Sequence, residues 1–189
     1  SITNMNIPFV DLARQFRGIE SELTQAFLDV GRSGMYIMGE KLESFERKSA
    51  EFCGVKHAIG VANGSDALFL ILKALGIGPG DEVITATNSF IASANCIRMT
   101  NAQPILTDID TRDGGIDVSS ITEKVDAIIP VHIYGNPCDF DSVEIFAKEQ
   151  KIPIIEDACQ AHGAIYKNKK VGGLSDVGCF SFYPTKNMT

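Results

Sequence analysis

A lysine and an aspartate near the end of the sequence are the residues best suited to chemistry. Lys186 follows an apolar run that ends at Tyr183, and Asp157 ends another apolar run. A lysine amine that is removed from water becomes a nucleophile able to form a Schiff base. A carboxylate in such a place needs a cation or hydrogen-bond donors, because an isolated buried charge would take up a proton. The alternatives are a solvated surface lysine and an aspartate that caps a loop.

Two further segments are candidates for binding parts of a ligand. Gly64, Ser65 and Asp66 open a helical stretch, and the amino end of a helix presents N–H donors to an anion such as phosphate. The alternative is that Ser65 or Asp66 only caps the helix. Phe90 follows another apolar run, where its ring would either stack on a planar ligand or pack as an ordinary core side chain.

The elements that must position these residues alternate along the chain. Apolar residues at helical spacing predict helices over residues 11–31, 40–53, 65–75, 90–100 and 140–150. Apolar β-rich runs predict strands over residues 58–61, 82–86, 104–108, 127–131 and 152–157. A short helix is expected after the glycine pair at 114–115, a solvated turn at 166–170 between two late strands, and a further apolar run at 177–183.

The strand-like runs do not alternate between apolar and polar residues, which is typical of strands buried on both faces by crossover helices. The sequence therefore predicts an α/β fold with a mostly parallel sheet flanked by helices. In such sheets ligands bind at the carboxyl ends of the strands, where Asp157, Phe90 and Lys186 are all expected. Gln160 and His162 follow Asp157 closely and are further ligand candidates, although a lone histidine is more often structural.

Composition narrows the class of partner. The 189 residues include 17 Lys and Arg against 24 Asp and Glu, a formal net charge of −7, so binding to nucleic acid or anionic membranes is not expected. No apolar run approaches the length of a transmembrane helix. The five cysteines form no CxxC pair and are odd in number, which favours reduced thiols and a cytoplasmic location.

Taken together, the candidates offer a phosphate cradle, an aromatic platform, a buried acid and a lysine at corresponding strand ends. That combination matches pyridoxal phosphate, in which the acid keeps the pyridine nitrogen protonated and the lysine forms a Schiff base. The three histidines and five cysteines show no ligand-like spacing, so no metal site is predicted. A serine hydrolase is disfavoured because no GxSxG motif is present.

Seven segments resemble the DegT/DnrJ/EryC1/StrS sugar aminotransferases, which are fold type I pyridoxal-phosphate enzymes. They are IPFVDL at residues 7–12, YIMG at 36–39, NGSDAL at 63–68, GPGDEVI at 78–84, VHIYG at 131–135, EDACQAHGA at 156–164 and FSFYPTKN at 180–187. The resemblance covers nearly the whole chain. It implies a three-layer large domain, of which residues 1–189 form the amino-terminal segment and the greater part. It also implies a carboxyl-terminal small domain that this sequence lacks.

The resemblance also assigns roles to residues. It implies that Lys186 binds the cofactor and moves the substrate proton, that Asp157 pairs with the pyridine nitrogen, and that Gln160 approaches the phenolic oxygen. Phosphate binding is implied for Gly64, Ser65, Asp66 and Ser181, and ring stacking for Phe90. Tyr36, Met38 and His162 are candidates for the substrate or dimer site.

The family transfers an amino group, usually from glutamate, to a keto group of a nucleotide-linked sugar, with pyridoxamine phosphate as the intermediate cofactor form. It works as a homodimer with shared active sites and serves cell-surface polysaccharide and related pathways. Two departures are visible: Ser65 replaces the threonine of many relatives, and the sequence stops three residues after Lys186. We therefore expect the natural chain to continue. The alternatives are a pyridoxamine-dependent dehydratase, which the lysine disfavours, a non-catalytic ligand sensor, or an inactive fragment.

Overall fold

The computed structural model describes residues 7–188 and begins with two helices, α1 (Leu12–Ser33) and α2 (Glu40–Cys53). The carboxylate of Asp11 accepts the Arg14 amide at 2.9 Å and caps the start of α1. Both helices were predicted, and α2 has the predicted bounds. None of the residues of α1 is buried, so its apolar stripe is exposed within this chain.

The remaining helices and strands alternate as the sequence predicts. In chain order they are α3 (Gly64–Ala74), β1 (Glu82–Ala86), α4 (Ala92–Met99), β2 (Gln103–Thr107), β3 (Ala127–Ile129), α5 (Phe140–Gln150), β4 (Ile155–Asp157), β5 (Ile165–Tyr166), β6 (Lys169–Lys170) and β7 (Val177–Cys179). The short helix predicted after residue 115 is a single 3-10 turn at Val118–Ser120. Most predicted bounds are correct to within three residues.

The strands β2, β1 and β3 pair in parallel in that order, and β4 pairs in parallel with β7. Backbone hydrogen bonds join the two groups, because the Asp157 amide donates to the Pro130 carbonyl at 2.9 Å and the His132 amide donates to the Asp157 carbonyl at 3.1 Å. The result is a parallel layer in the order β2-β1-β3-β4-β7. All its carboxyl ends lie at one edge, as predicted.

Helices cover both faces of this layer. Leu68 and Leu72 of α3 and Ile97 of α4 pack against one face, and the side chains of α5, including Val143 and Ala147, pack against the other. Alternation along the strands supplies both cores, since Val83 belongs to the first cluster and Ile84 to the second. The predicted α/β class and the three-layer arrangement are confirmed.

The predicted strand over residues 58–61 is wrong. These residues are irregular, Ile59 is 81% exposed, and the Gly60 amide donates to the Glu46 carboxylate at 2.7 Å. A strand needs a partner for its backbone groups as well as an apolar pattern, and within residues 7–188 no strand pairs with this segment. The predicted helix from residue 90 begins instead at Ala92, which leaves Phe90 in a loop.

The turn predicted between two late strands is present but shorter than the predicted 166–170, because Tyr166, Lys169 and Lys170 belong to the strands. Strands β5 and β6 are antiparallel, and Lys167 and Asn168 between them have φ values of 44° and 69°. Two consecutive residues with positive φ form the tight turn whose twist suits a hairpin.

Within the part of the chain that is described, no helix is both long and apolar enough to cross a bilayer.

Candidate active site

The amino end of α3 lies directly against the ends of β4 and β7. A Cβ atom placed on Gly64 would stand 2.9 Å from the Ser181 Cβ and 3.0 Å from the Cys159 Sγ. Contacts this close exclude any larger residue without movement, so glycine permits the approach. Three segments far apart in sequence therefore meet at one point, with the free donors of a helix end among them.

The cap of α3 differs from the one considered from the sequence. Asn63, not Ser65 or Asp66, is the N-cap, and its Oδ1 accepts the Asp66 amide at 2.9 Å. The Asn63 Nδ2 also donates to the Asp66 carboxylate at 2.9 Å. The Ser65 hydroxyl and the first amides of the helix therefore remain available to an external anion.

Asp157 ends β4 and is 6% exposed. Its Oδ1 accepts the Cys159 amide at 3.1 Å, and its Oδ2 accepts the Ser93 hydroxyl at 3.1 Å. Among residues 7–188 no lysine, arginine or histidine forms an ion pair with it. The loop-capping alternative is therefore partly correct, yet it leaves a buried carboxylate with spare acceptor capacity and no cation.

The loop between β1 and α4 connects Phe90 to this carboxylate. The Ser89 and Ser93 hydroxyls are 2.6 Å apart, and the Ser93 amide donates to the Phe90 carbonyl at 3.0 Å. The Phe90 ring is 65% exposed, so the alternative of an ordinary core side chain is wrong. An exposed ring beside the strand ends is suited to stacking on a planar ligand.

Gln160 is oriented by the loop after β3. Its Oε1 accepts the Tyr134 amide at 2.9 Å, and Tyr134 adopts a φ of 56°, an uncommon conformation for a residue that is not glycine. Such strained positions are frequent at ligand sites because the surrounding structure must hold them. The structure thus places Gln160 at the same edge of the sheet as Asp157.

Lys186 and Ser181 lie in the segment after β7. Lys186 is partly buried, and its amide donates to the Tyr183 carbonyl at 2.8 Å. Ser181 contacts the Gly64 position, as described above, and its Oγ accepts the Tyr183 amide at 3.4 Å. A tight turn over Pro184 therefore returns the chain and places Lys186 beyond the carboxyl end of β7.

His162 packs among aromatic rings at the same edge. Its ring centroid lies 5.1 Å from that of Phe180 and 5.2 Å from that of Phe182. Burial lowers the pKa of His162, and the charge of Lys186 adds to the lowering, while Asn187 and the Ser181 backbone oppose it. The imidazole is therefore neutral near pH 7, and neither ring nitrogen has a well-aligned hydrogen bond.

Tyr36 and Met38 lie between α1 and α2, outside this cluster. They are 74% and 76% exposed, and within residues 7–188 no hydrogen bond or ring contact joins them to the residues at the strand ends. Met38 has a φ of 52°, so the segment makes a sharp reversal before α2. Their placement leaves them free to contact another molecule or another copy of the chain.

Sequence reasoning missed a second buried carboxylate beside Asp157. Glu156 is fully buried and accepts hydrogen bonds from the amides of Gly172, Leu174 and Ser175 at 2.6–2.8 Å. The His132 Nε2 lies 3.2 Å from the Glu156 Oε2, and the His132 Nδ1 accepts the Cys138 amide, so Nε2 is the ring nitrogen placed to donate to Glu156. The sequence did contain a signal for it, because Glu156 is a charged residue that directly follows the apolar residues of a predicted buried strand.

Ser93 was also missed, because a serine within a helical stretch carries no distinctive pattern.

The described surface has a cavity of about 470 Å³ lined by residues such as Glu82 and Arg98, but it lies at the amino ends of β1 and β2. It gathers none of the predicted residues. The carboxyl edge of the sheet is the better candidate because polar groups from five separate segments converge there.

Comparison with known proteins agrees with this geometry. A profile of the DegT/DnrJ/EryC1/StrS aminotransferase family matches residues 17–189. The chain is similar to the dTDP-3-amino-3,6-dideoxy-alpha-D-galactopyranose transaminase of Aneurinibacillus thermoaerophilus, with 47% identity over 180 residues, which are 93% of this chain and 50% of that protein. The chain thus spans about half the length of the curated relatives it matches.

Solved structures give the same result. The structure of Streptomyces venezuelae DesV in complex with a ketimine intermediate matches with a TM-score of 0.92 and 41% identity, covering 96% of this chain and 50% of that one. The PLP form of a protein named as a sugar aminotransferase from Streptococcus pneumoniae matches with a TM-score of 0.86 and 30% identity, covering 98% of this chain and 51% of that one. Because the family profile matches most of the sequence, the chain belongs to the DegT/DnrJ/EryC1/StrS aminotransferase family.

Proposed function

We propose that this chain is the cofactor-binding part of a pyridoxal-phosphate-dependent aminotransferase that acts on a nucleotide-linked keto sugar. The observation that carries the proposal is the buried Asp157 carboxylate, which has no cationic partner among residues 7–188, together with the free amides of α3, whose Gly64 packs against Cys159 after the same strand. A ligand with a cationic ring nitrogen at one end and a phosphate at the other would satisfy both.

The phosphate end of the cofactor fits the amino end of α3. The amides of Gly64 and Ser65 and the hydroxyls of Ser65 and Ser181 would bind its oxygens, because the Asn63 cap uses only the Asp66 amide. Asp66 would act indirectly by holding Asn63 in place. The close packing of Gly64 against Ser181 keeps both hydroxyl-bearing segments on one side of the site.

The ring of the cofactor fits the groups around Asp157. Asp157 would hold a proton on the ring nitrogen, Phe90 would stack on the ring, and Gln160 would donate toward its phenolic oxygen through the side-chain amide. The Gln160 Oε1 already accepts the Tyr134 amide, so its Nε2 is directed away from that loop. Ser93 supports the acid by donating to Asp157, which fixes the direction of the carboxylate.

Lys186 would act as the base. When bound, pyridoxal phosphate supplies an electron sink that stabilises charge at the carbon bearing the amino group. The Lys186 amine would remove the proton from that carbon and return it on the cofactor side. The His162 ring and the aromatic rings packed around it lie beside the segment that carries Lys186 and would limit the access of water to the amine.

The amino-group donor is glutamate in this proposal, and the acceptor is a keto sugar linked to a nucleotide. The similarity to the dTDP-sugar transaminase of Aneurinibacillus thermoaerophilus supports the acceptor class. Tyr36, Met38 and His162 are the candidate substrate or dimer residues. The chain would form most of the large domain, and its location would be cytoplasmic.

A homodimer is supported by α1. None of its 22 residues is buried, and Phe16, Leu23 and Phe27 are 47%, 46% and 77% exposed. An exposed apolar stripe of this kind marks an interaction surface. Replacement of Phe27 with Asp is expected to shift the sedimentation coefficient toward that of the monomer, whereas Gln25→Asp on the same helix should leave the oligomeric state unchanged.

The test is borohydride reduction of protein incubated with pyridoxal phosphate, followed by peptide mapping. We expect a phosphopyridoxyl group on Lys186 and none after Lys186→Ala. Lys170→Ala is the matched control, because Lys170 lies over the Phe52 ring at 3.5 Å and not at the strand ends. Labelling of other lysines to the same extent as Lys186 would contradict the proposal.

Turnover separates the alternatives. Glutamate should convert the bound cofactor to its pyridoxamine form, and a keto-sugar nucleotide should reverse the conversion. Cofactor binding without this half-reaction would favour a ligand sensor, and loss of a sugar hydroxyl without amino transfer would favour a dehydratase. Failure to bind the cofactor would indicate an inactive fragment.

A further inference from the structure

Two cysteines and the active-site aspartate form a compact group that the proposed reaction does not use. The Cys159 and Cys179 sulfurs are 3.7 Å apart, and the Cys179 Sγ lies 3.9 Å from the Asp157 Oδ1. All three potential ligand atoms lie within 4.8 Å of one another. We call these three residues the thiol–carboxylate cluster.

The cluster arises from the sheet. Asp157 and Cys179 are register partners on the parallel strands β4 and β7, and the Ala158 amide donates to the Cys179 carbonyl at 3.0 Å. This bond turns the chain so that Cys159 returns toward Cys179. Spacing along the sequence did not predict the cluster, because 20 positions separate the two cysteines.

The distances match those of a tetrahedral metal site. Two sulfurs each about 2.3 Å from one zinc ion stand about 3.8 Å apart at the tetrahedral angle, and a sulfur and a carboxylate oxygen stand about 3.6 Å apart. The observed separations are 3.7 Å and 3.9 Å. Two of the three pairs therefore already stand close to metal-ligand separations, and the third pair, Cys159 with Asp157, lies within 4.8 Å.

The charge of the cluster also favours a cation. Among residues 7–188 no lysine, arginine or histidine forms an ion pair with Asp157, so its negative charge is not balanced within this part of the chain. A metal ion displaces the protons of the thiols that bind it. The dipole of α3 opposes a cation here, so the ligands themselves must supply the attraction.

We propose that the thiol–carboxylate cluster binds one soft divalent cation, Zn²⁺ or Cd²⁺, with water as the fourth ligand. The half-buried Cys159 provides the access, and Asp157 and Cys179 supply the buried ligands. This departs from the prediction of no metal site. A consequence that rests on the proposed function is competition, because the cation and the cofactor's ring nitrogen would both require Asp157.

The test is a titration of reduced, cofactor-free protein with Cd²⁺, followed by ultraviolet absorption and calorimetry. We expect one ion per chain and a thiolate-to-metal charge-transfer band. Cys159→Ser should remove about half of the band at saturation, because the Cys179 thiolate remains, and weaken binding by about tenfold or more. Cys53→Ser is the matched control, since Cys53 is a half-buried cysteine at the end of α2 and should leave the titration unchanged.

Several results would overturn the site. These are absence of the band in the wild-type protein, an equal loss in Cys53→Ser, and an intact mass lacking two hydrogens because the cysteines had formed a disulfide. Cys179→Ala provides a second variant, and circular dichroism verifies that each variant is folded. Retention of full Cd²⁺ affinity by both folded cluster variants would place the ion elsewhere.

Competition is measured separately. Added Zn²⁺ should weaken the apparent affinity for pyridoxal phosphate in proportion to its concentration, and a chelator should restore it. Failure of the metal-free protein to bind the cofactor would contradict the proposed function and leave the Cd²⁺ titration valid. Cofactor binding together with a negative titration would contradict only the metal site.

Discussion

Glu156 and Asp157 are consecutive residues of β4, and their side chains point to opposite faces of the sheet. Both are buried carboxylates. Glu156 accepts five hydrogen bonds, from three amides, the Ser175 hydroxyl and the His132 ring. Asp157 accepts two hydrogen bonds, from the Cys159 amide and the Ser93 hydroxyl, and the Cys179 thiol lies 3.9 Å away. Glu156 is therefore saturated with hydrogen-bond donors, whereas Asp157 can accept further hydrogen bonds.

The difference distinguishes a structural acid from a candidate functional one. The donors of Glu156 come from the loop at residues 172–175, so this carboxylate fixes the chain that leads into β7 and then to Lys186. Asp157 keeps acceptor capacity toward the edge of the sheet where ligands bind. Burial and residue type are alike, so the number of donors is what separates the two.

The largest expected effect is on stability, when Glu156, the carboxylate saturated with donors, is replaced. Glu156→Gln places an amide group against at least two donors, and we expect the free energy of unfolding to fall by about 3 kcal/mol. Urea denaturation measures it. Glu144→Gln, on the exposed face of α5, is the control and should change stability little. Equal stability of the two variants would show that the hydrogen bonds of Glu156 to the loop at residues 172–175 do not stabilise the fold.

Replacement of Asp157, the carboxylate with spare acceptor capacity, should have the opposite effect, with little change in stability and a large loss of activity. Asp157→Asn keeps one carbonyl oxygen to accept the Cys159 amide, and its Nδ2 can donate to the Ser93 hydroxyl, which can reverse its role, so we expect stability to change by less than about 1 kcal/mol. Amino transfer should fall at least about a hundredfold, because a neutral amide does not hold the proton on the ring nitrogen. A half-reaction assay with glutamate measures it, and wild-type rates in the variant would refute the role.

The third prediction concerns how closely α3 approaches the carboxylate edge. Gly64→Ala would place a Cβ atom 2.9 Å from Ser181, and we expect a loss of about 2 kcal/mol in stability together with weaker phosphate binding. Gly18→Ala in the exposed α1 has no atom within 4 Å and should be neutral or stabilising. Thermal denaturation of both variants makes the comparison, and equal shifts would argue against the close contact.

Ser93→Ala tests the support of Asp157. The variant removes one neutral donor to the carboxylate, and we expect a loss of about 1 kcal/mol in cofactor binding. Fluorescence titration with pyridoxal phosphate measures it. Ser89→Ala removes the next hydroxyl of the chain of hydrogen bonds and should have a smaller effect. A larger effect at Ser89 would reverse the order of contacts inferred here.

The smallest effect is a dependence of stability on pH. Burial favours the protonated acid, but hydrogen bonds from His132, Ser175 and Gly172 outweigh it and lower the pKa of Glu156. Glu156 therefore stabilises the fold fully above the ordinary glutamate pKa of about 4.3, and this contribution is lost as the pH falls through the lower folded value. The stability difference between wild type and Glu156→Gln should shrink on acidification, and growth of the difference would contradict the assignment.

The sequence predicted most of the fold because its signals are local. Apolar spacing located α2 with its observed bounds and placed five helices and the parallel strands, since periodicity reports which side chains face a core. It failed at residues 58–61, where pairing with a distant strand decides the outcome. It also predicted Asp157, Gln160 and Lys186 as candidates, because each follows an apolar run.

Residue types and order thus determined the family, the layer architecture and the candidate acid, base and phosphate-binding residues. Tertiary structure alone decided the partners of each: Ser93 on Asp157, Tyr134 on Gln160, Ser181 against Gly64, and Cys159 against Cys179. It also decided that Glu156 is saturated and Asp157 is not. The physical reason is that hydrogen bonds and packing depend on distances between segments far apart in sequence, which local patterns do not encode.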